Sequence, residues 1–203
     1  MFVLVFTGVQ VFATGSKSGD KTEWNLANES SGISLYYRWI TVGDSIRTRE
    51  MKTEFTIDAE IPEILSHFRN AESYKSWAAG IKNCNIEKTS DSVWVTHTIM
   101  NYPWPLKQKD LVTRHSLEYN DLNACIEIEA APELLSELEG IERMKSYRGT
   151  WHFYTNESGM TIVDCRVVSF TKPMFPRFIQ DPVVQKILIG SFVDLKRLSE
   201  NNE

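Results

Sequence analysis

Residues 176–200 read PRFIQDPVVQKILIGSFVDLKRLSE. Phe178, Val184, Ile187, Leu188, Phe192, Leu195 and Leu198 recur mostly at three- and four-residue steps, the spacing of one helix face. The stretch predicts a long amphipathic helix closing the chain, with Asp181-Pro182 near its start either capping or kinking it. The residues before it, 82–170, have the character of strands. A sheet built from them must bury one face, and the terminal helix is the element large enough to cover it. The expected architecture is therefore α+β, a curved antiparallel sheet wrapped around one long C-terminal helix. A wedge-shaped space between the two is where a ligand would sit.

Working back from the helix, the strand candidates are 82–89, 92–100, 109–119, 123–131, 141–154 and 160–170. Ser90-Asp91, Asn120-Asp121 and residues 156–159 supply turns between several of them. Earlier, Asp58-Ala59-Glu60-Ile61-Pro62-Glu63 reads as a helix entry, with Asp58 as the cap and Pro62 in the first turn. Ile61, Ile64, Leu65 and Phe68 share a face of that helix, and a second short helix is expected over 71–77. Ahead of these, Ile33–Ile40 and Ile46–Ile57 read as a hairpin turning at residues 42–45. The segment 24–31 reads as a short helix ended by Gly32.

The chain has 203 residues, with 42% hydrophobic and 24% charged residues and a net charge of −5. That is enough for one domain with a sizeable core. The negative balance and the lack of a basic run argue against a nucleic-acid partner. Residues 1–13 are apolar and end Val11-Phe12-Ala13, the small-residue shape of an export signal cleaved after Ala13. No Lys or Arg precedes this short run, and a buried first strand is the alternative. Cleavage would make the protein periplasmic or extracellular, and without an export signal the expectation is cytoplasmic. Cys84, Cys125 and Cys165 give neither a complete disulfide framework nor a zinc spacing, and read as small core residues. The histidines His67, His97, His115 and His152 have no metal-ligand spacing, and there is no phosphate loop or nucleophile elbow. No cofactor or metal is expected.

Five pieces carry a resemblance when taken in order. They are WNLANESSGISLYYR, AESYKSWAAGIKNCNIEK, PWPLKQKDLVTRHS, YRGTWHF and the terminal PRFIQDPVVQKILIGSFVDLKRL. From about Trp24 to Leu198 the chain resembles the START lipid-binding domain, the lipid-transfer branch of the helix-grip (Bet v 1-like) superfamily. The resemblance implies a single domain over residues 21–200 that binds a lipid or other hydrophobic small molecule in an internal cavity. It also implies a monomer making transient contact with a membrane.

The candidate ligand-binding residues follow from the patterns and the resemblance together. In 109–119, Leu111, Thr113, His115 and Leu117 form the more apolar face, so Thr113 and His115 should point inward. Sterol-binding relatives carry an acid and an arginine where Thr98 and His115 stand here, which puts a sterol-type anchor in doubt. In 92–100, alternation favours Val93, Val95, His97 and Ile99 inward, whereas the resemblance favours Trp94, Thr96, Thr98 and Met100. Tyr147 and Trp151 share a face of 141–154 and are either wall or core. Phe178, Val184, Leu188 and Phe192 would form the apolar floor, with Lys186 and Lys196 solvated. Trp104, between Pro103 and Pro105, is either a gate at the cavity mouth or a pin for its loop. Lys109 and Asp110 are expected to pair locally. Two alternatives stand beside lipid binding. One is a helix-grip cyclase or hydratase using His115, or second Tyr147, as acid or base. The other is a non-catalytic interaction domain with a filled core.

Overall fold

The computed structural model describes residues 21–42, 46–78, 80–101, 108–170 and 176–200. Ten strands make one sheet: β1 (Asn25–Ser30), β2 (Ile33–Val42), β3 (Ile46–Ile57), β4 (Ile81–Lys88), β5 (Val93–Met100), β6 (Lys109–Asn120), β7 (Asn123–Ala130), β8 (Glu142–Arg143), β9 (Tyr147–Thr155) and β10 (Thr161–Ser169). Their order is β1-β2-β3-β10-β9-β7-β6-β5-β4, antiparallel throughout, with the two-residue β8 lying parallel to the start of β6. Two short helices, α1 (Ile61–Arg69) and α2 (Ala71–Trp77), follow β3, and α3 (Arg177–Glu200) closes the chain. The expected helix-grip α+β architecture is the one observed.

Three local expectations are corrected. The segment expected to be a helix over 24–31 is the edge strand β1, because Ser31 (φ 55°) and Gly32 (φ 72°) both adopt the left-handed region and close a two-residue hairpin into β2. Only such a turn matches the twist of the two strands it joins. The single strand expected over 141–154 is broken into β8 and β9, because residues 131–141 leave the sheet after β7 and β8 rejoins it beside the start of β6, so that residues 131–146 form a strap. Asp58 does not cap α1. Glu60 holds the N-cap position without a side-chain bond, and the Asp58 N–H donates to Glu200 Oε1 at 3.0 Å.

The strap explains a burial that alternation alone does not. Val112 is fully buried on the outer face of β6, and Asp110 and Arg143 are buried beside it. The Arg143 guanidinium donates to Asp110 Oδ2 through Nε (2.8 Å) and Nη2 (2.6 Å), and to the carbonyls of Pro132, Leu135 and Ser136. His97 Nε2 lies 3.0 Å from the same carboxylate oxygen. Burial alone would raise the Asp110 pKa, but hydrogen bonds and charge from Arg143 and His97 outweigh it and hold the group below the ordinary carboxylate value. Lys109 reaches Glu142 at 2.8 Å. The expected Lys109–Asp110 pair is thus replaced by two separate pairs, both tying strap to sheet.

Inside the curve, Phe68 of α1 packs edge-on against Trp151 (4.9 Å between ring centroids) and Phe153 (5.8 Å), and Phe192 of α3 meets Phe55 (5.3 Å) and Trp151 (5.5 Å). Such aromatic contacts add about 0.5–1.5 kcal/mol each beyond the area they bury. Ile61, Ile64, Leu65 and Phe68 are all buried, as their spacing requires.

Candidate ligand-binding site

Strand register places one row of inward residues across the sheet: Tyr37, Met51, Val167, Gly149, Ile128, His115 and Trp94. The row beside it, Leu35, Thr53, Cys165, Trp151, Ile126 and Leu117, lies on the buried core side. α3 runs along β3. Asp181 pairs with Arg49, Phe192 meets Phe55, Lys196 Nζ donates to the Thr56 carbonyl at 2.8 Å, and Glu200 accepts from Asp58. At about 1.5 Å per helical residue and 3.3 Å per strand residue, the two spans match in length. Residues 182–188 therefore lie over Met51 and its row.

The two halves of α3 differ along this path. Its buried side chains, Ile189, Ser191, Phe192, Leu195 and Ser199, all fall in the C-terminal half. None of residues 177–188 is buried, and Tyr37, Met51 and Val167 opposite them are themselves only half-buried. Gly149 sits mid-row, and a Cβ there would come within 3.3 Å of Tyr147 Oη, so the phenol lies across the gap that the glycine leaves. Half-buried apolar groups thus face each other between the first half of α3 and this row, with Tyr147 over Gly149.

At the far end of the row the wall turns polar. His115 is fully buried and stacks on Trp94, with centroids 4.9 Å apart and planes 17° from parallel. Its Nε2 lies 2.9 Å from Thr113 Oγ1, and burial pushes its pKa down to about 3, so the ring is neutral. Thr98 Oγ1 donates to the Leu111 carbonyl at 3.4 Å. Three polar atoms on this wall are buried without a hydrogen-bond partner: His115 Nδ1, Thr96 Oγ1 and Trp94 Nε1. Buried polar atoms seldom go unpartnered, since each such loss costs about 1–3 kcal/mol.

The expected site residues divide accordingly. Thr98, Thr113, His115 and Trp151 face inward and are buried, and the alternation in β5 resolves in favour of Trp94, Thr96, Thr98 and Met100. Tyr147, Val184 and Leu188 are half-buried. Phe192 is core. Phe178 is 79% exposed and is no part of a floor, because it lies on the outward side of the first helical turn. Lys196 is engaged with Thr56 and Glu200 rather than solvated. Trp104, the turn at 43–45 and the N-terminal segment 1–13 lie outside the described residues. Spacing pointed to none of Tyr37, Met51, Val167 and Gly149; the hairpin register of β2 and β3 was the available signal.

No group of three or more His, Cys, Asp or Glu among the described residues has the geometry to hold a metal ion. No helix of the described residues is long and apolar enough to cross a membrane. The cysteines are free, and burial pushes the Cys84 thiol up to about 11 and the Cys165 thiol well above its ordinary value, so both are poor nucleophiles at neutral pH.

A STAR-related lipid transfer protein from Xanthomonas axonopodis superposes with a TM-score of 0.74, at 20% identity, over 86% of this chain and 97% of that one. The fold is that of START domains. Human STARD10 superposes with a TM-score of 0.68 at 14% identity, covering 87% of this chain and 72% of its own. The Zhui aromatase/cyclase of a Streptomyces species has the same architecture at a TM-score of 0.54 and 12% identity, over 75% of this chain and 94% of that one. No protein-family model matches the sequence, and no curated protein matches it as a relative. The START fold thus stands on shape, and function must be argued from the site.

Proposed function

We propose that this START domain binds one hydrophobic small molecule, a lipid, in the wedge between the inner face of the sheet and the first half of α3. The observation that carries the reading is the unfilled row. Tyr37, Met51 and Val167 stay half-exposed under a helical stretch with no fully buried residue, whereas Leu35, Thr53, Cys165, Trp151 and Ile126 in the row on the core side are buried. Burying apolar ligand surface there is worth about 25 cal/mol per Å² before the costs of association. His115 Nδ1 and Thr96 Oγ1, unpartnered on the far wall, offer a hydroxyl or carbonyl its hydrogen bond once a neighbouring side chain moves aside. The catalytic alternative draws no support from His115. Its neighbours are Thr113 and Trp94 rather than a carboxylate, and a pKa of about 3 makes it a weak base at neutral pH.

Leu188→Trp tests the placement. The larger ring enters the wedge from α3 and should cut uptake of a fluorescent fatty-acid probe at least tenfold while the fold, read by circular dichroism, is kept. A folded variant with unchanged uptake would put the ligand elsewhere.

A further inference from the structure

At the open end of the wedge, one row beyond Tyr37 and Met51, positive charge collects around a single indole. The guanidinium carbons of Arg47, Arg49 and Arg177 lie 4.7, 4.9 and 4.9 Å from the centre of the Trp39 ring, and Arg49 also lies 4.2 Å from that of Tyr37. Among the described residues one carboxylate answers them. Asp181 pairs with Arg49 and, at 3.7 Å, with Arg177. Three guanidiniums against one acid leave an excess of positive charge around the half-buried Trp39, with Arg49 and Arg177 half-buried and Arg47 on the exposed side. Arg49 Nε is buried with no hydrogen-bond partner. Burial and the neighbouring Arg49 push the Arg177 pKa below its ordinary value, the signature of like charges crowded out of water. Beside them, Phe178 and Ile179 are exposed on the first turn of α3.

We infer that this cluster is an anion site for the head of the bound molecule, so that the ligand is an anionic amphiphile carrying a phosphate or carboxylate. A planar guanidinium matches such a group with paired hydrogen bonds, and the idle Arg49 Nε–H would gain an acceptor. Cluster and wedge are adjacent rows of one face, so a head held by the arginines directs its chain over Met51 and Val167. The inference rests on the wedge being the ligand site, and the test separates the two.

The probes are dodecyl phosphate, dodecanol and inorganic phosphate, each titrated calorimetrically below micellar concentration against the full chain and against Arg47→Gln/Arg177→Gln. Arg49 is left intact because it ties β3 to α3. The expected result is dodecyl phosphate binding more than tenfold tighter than dodecanol, with the variant losing that preference and keeping its dodecanol affinity. Equal affinity for both chains, or an unchanged preference in a folded variant, overturns the anion site and leaves the wedge standing. Inorganic phosphate binding as tightly as dodecyl phosphate makes this a free-anion site and overturns the amphiphile. Sedimentation with phosphatidylglycerol vesicles separates the remaining source. If the variant loses vesicle binding but keeps the preference for dodecyl phosphate, the arginines serve a bilayer surface and the assignment fails. If no chain-bearing probe binds at all, the wedge itself is refuted.

Discussion

Burial pushes the His115 pKa down to about 3 against 6.5 in an unfolded chain, so the ring is neutral in the folded protein near neutral pH. The unfolded state therefore binds a proton between those values and the folded state does not. Stability contributed this way is complete above about pH 6.5 and is lost as pH falls toward 3, at up to about 1.4 kcal/mol per pH unit. Asp110, whose pKa is held down by Arg143, adds a loss of the same sign at the acidic end, below the ordinary carboxylate pKa. Urea melts from pH 7 to 4 should show this slope, and His115→Phe, which keeps a ring beside Trp94, should flatten it. An equal slope in the variant would assign the acid sensitivity to other groups. The inward direction of His115 was legible from its strand, since Leu111, Thr113 and His115 alternate with more polar neighbours. β5 was not legible by itself. Its outer side chains Val93, Val95 and Ile99 are apolar although only half-buried. Polar Thr96 and Thr98 on the buried side and valines on the outer side reverse the pattern that normally marks inside from outside.

Within single elements, α3 departs furthest from its sequence. Its apolar residues suggested one continuous stripe, yet they are spread around the helix, and only those after Leu188 are buried. Phe178 and Phe192 are identical in type and unlike in circumstance. Phe192→Ala removes a ring packed on Phe55 and Trp151 and should cost about 3–5 kcal/mol. Phe178→Ala should stay within about 0.5 kcal/mol, because its ring is exposed. Chemical denaturation of the two variants checks both figures, and comparable losses would mean the first turn of α3 is packed after all. Helical spacing showed that the helix exists and could not show where its partner surface stops. That depends on β3, whose register against α3 is set by long-range contacts. β1 failed for a more local reason. Its composition suits a helix, but Ser31-Gly32 is a turn dipeptide that matters only once β2 is available to pair.

For the molecule as a whole, a START fold that takes a ligand under its terminal helix, as proposed, needs a way for that ligand to enter. The division of α3 suggests where it is. The second half is anchored by Phe192, Leu195 and the contacts of Lys196 and Glu200 with residues 56 and 58. The first half is held to the sheet by the Arg49–Asp181 pair and by Arg177 over the Trp39 ring, above half-exposed apolar rows. Partly exposed ion pairs contribute little, typically 0–1 kcal/mol each, whereas a packed aromatic contributes several times as much. Local opening should therefore begin at the N-terminal turns and stop near Ile189, exposing the wedge without unfolding the sheet. Amide hydrogen exchange followed by mass spectrometry should find residues 189–199 exchanging with the central strands β3, β9 and β10. Peptides from 177–188 should exchange at least tenfold faster, and dodecyl phosphate should slow them selectively. Exchange at one rate along the whole helix would mean that α3 moves as a unit. Ligand entry would then require the whole helix to lift from the sheet, at the cost of the Phe55–Phe192 and Trp151–Phe192 contacts.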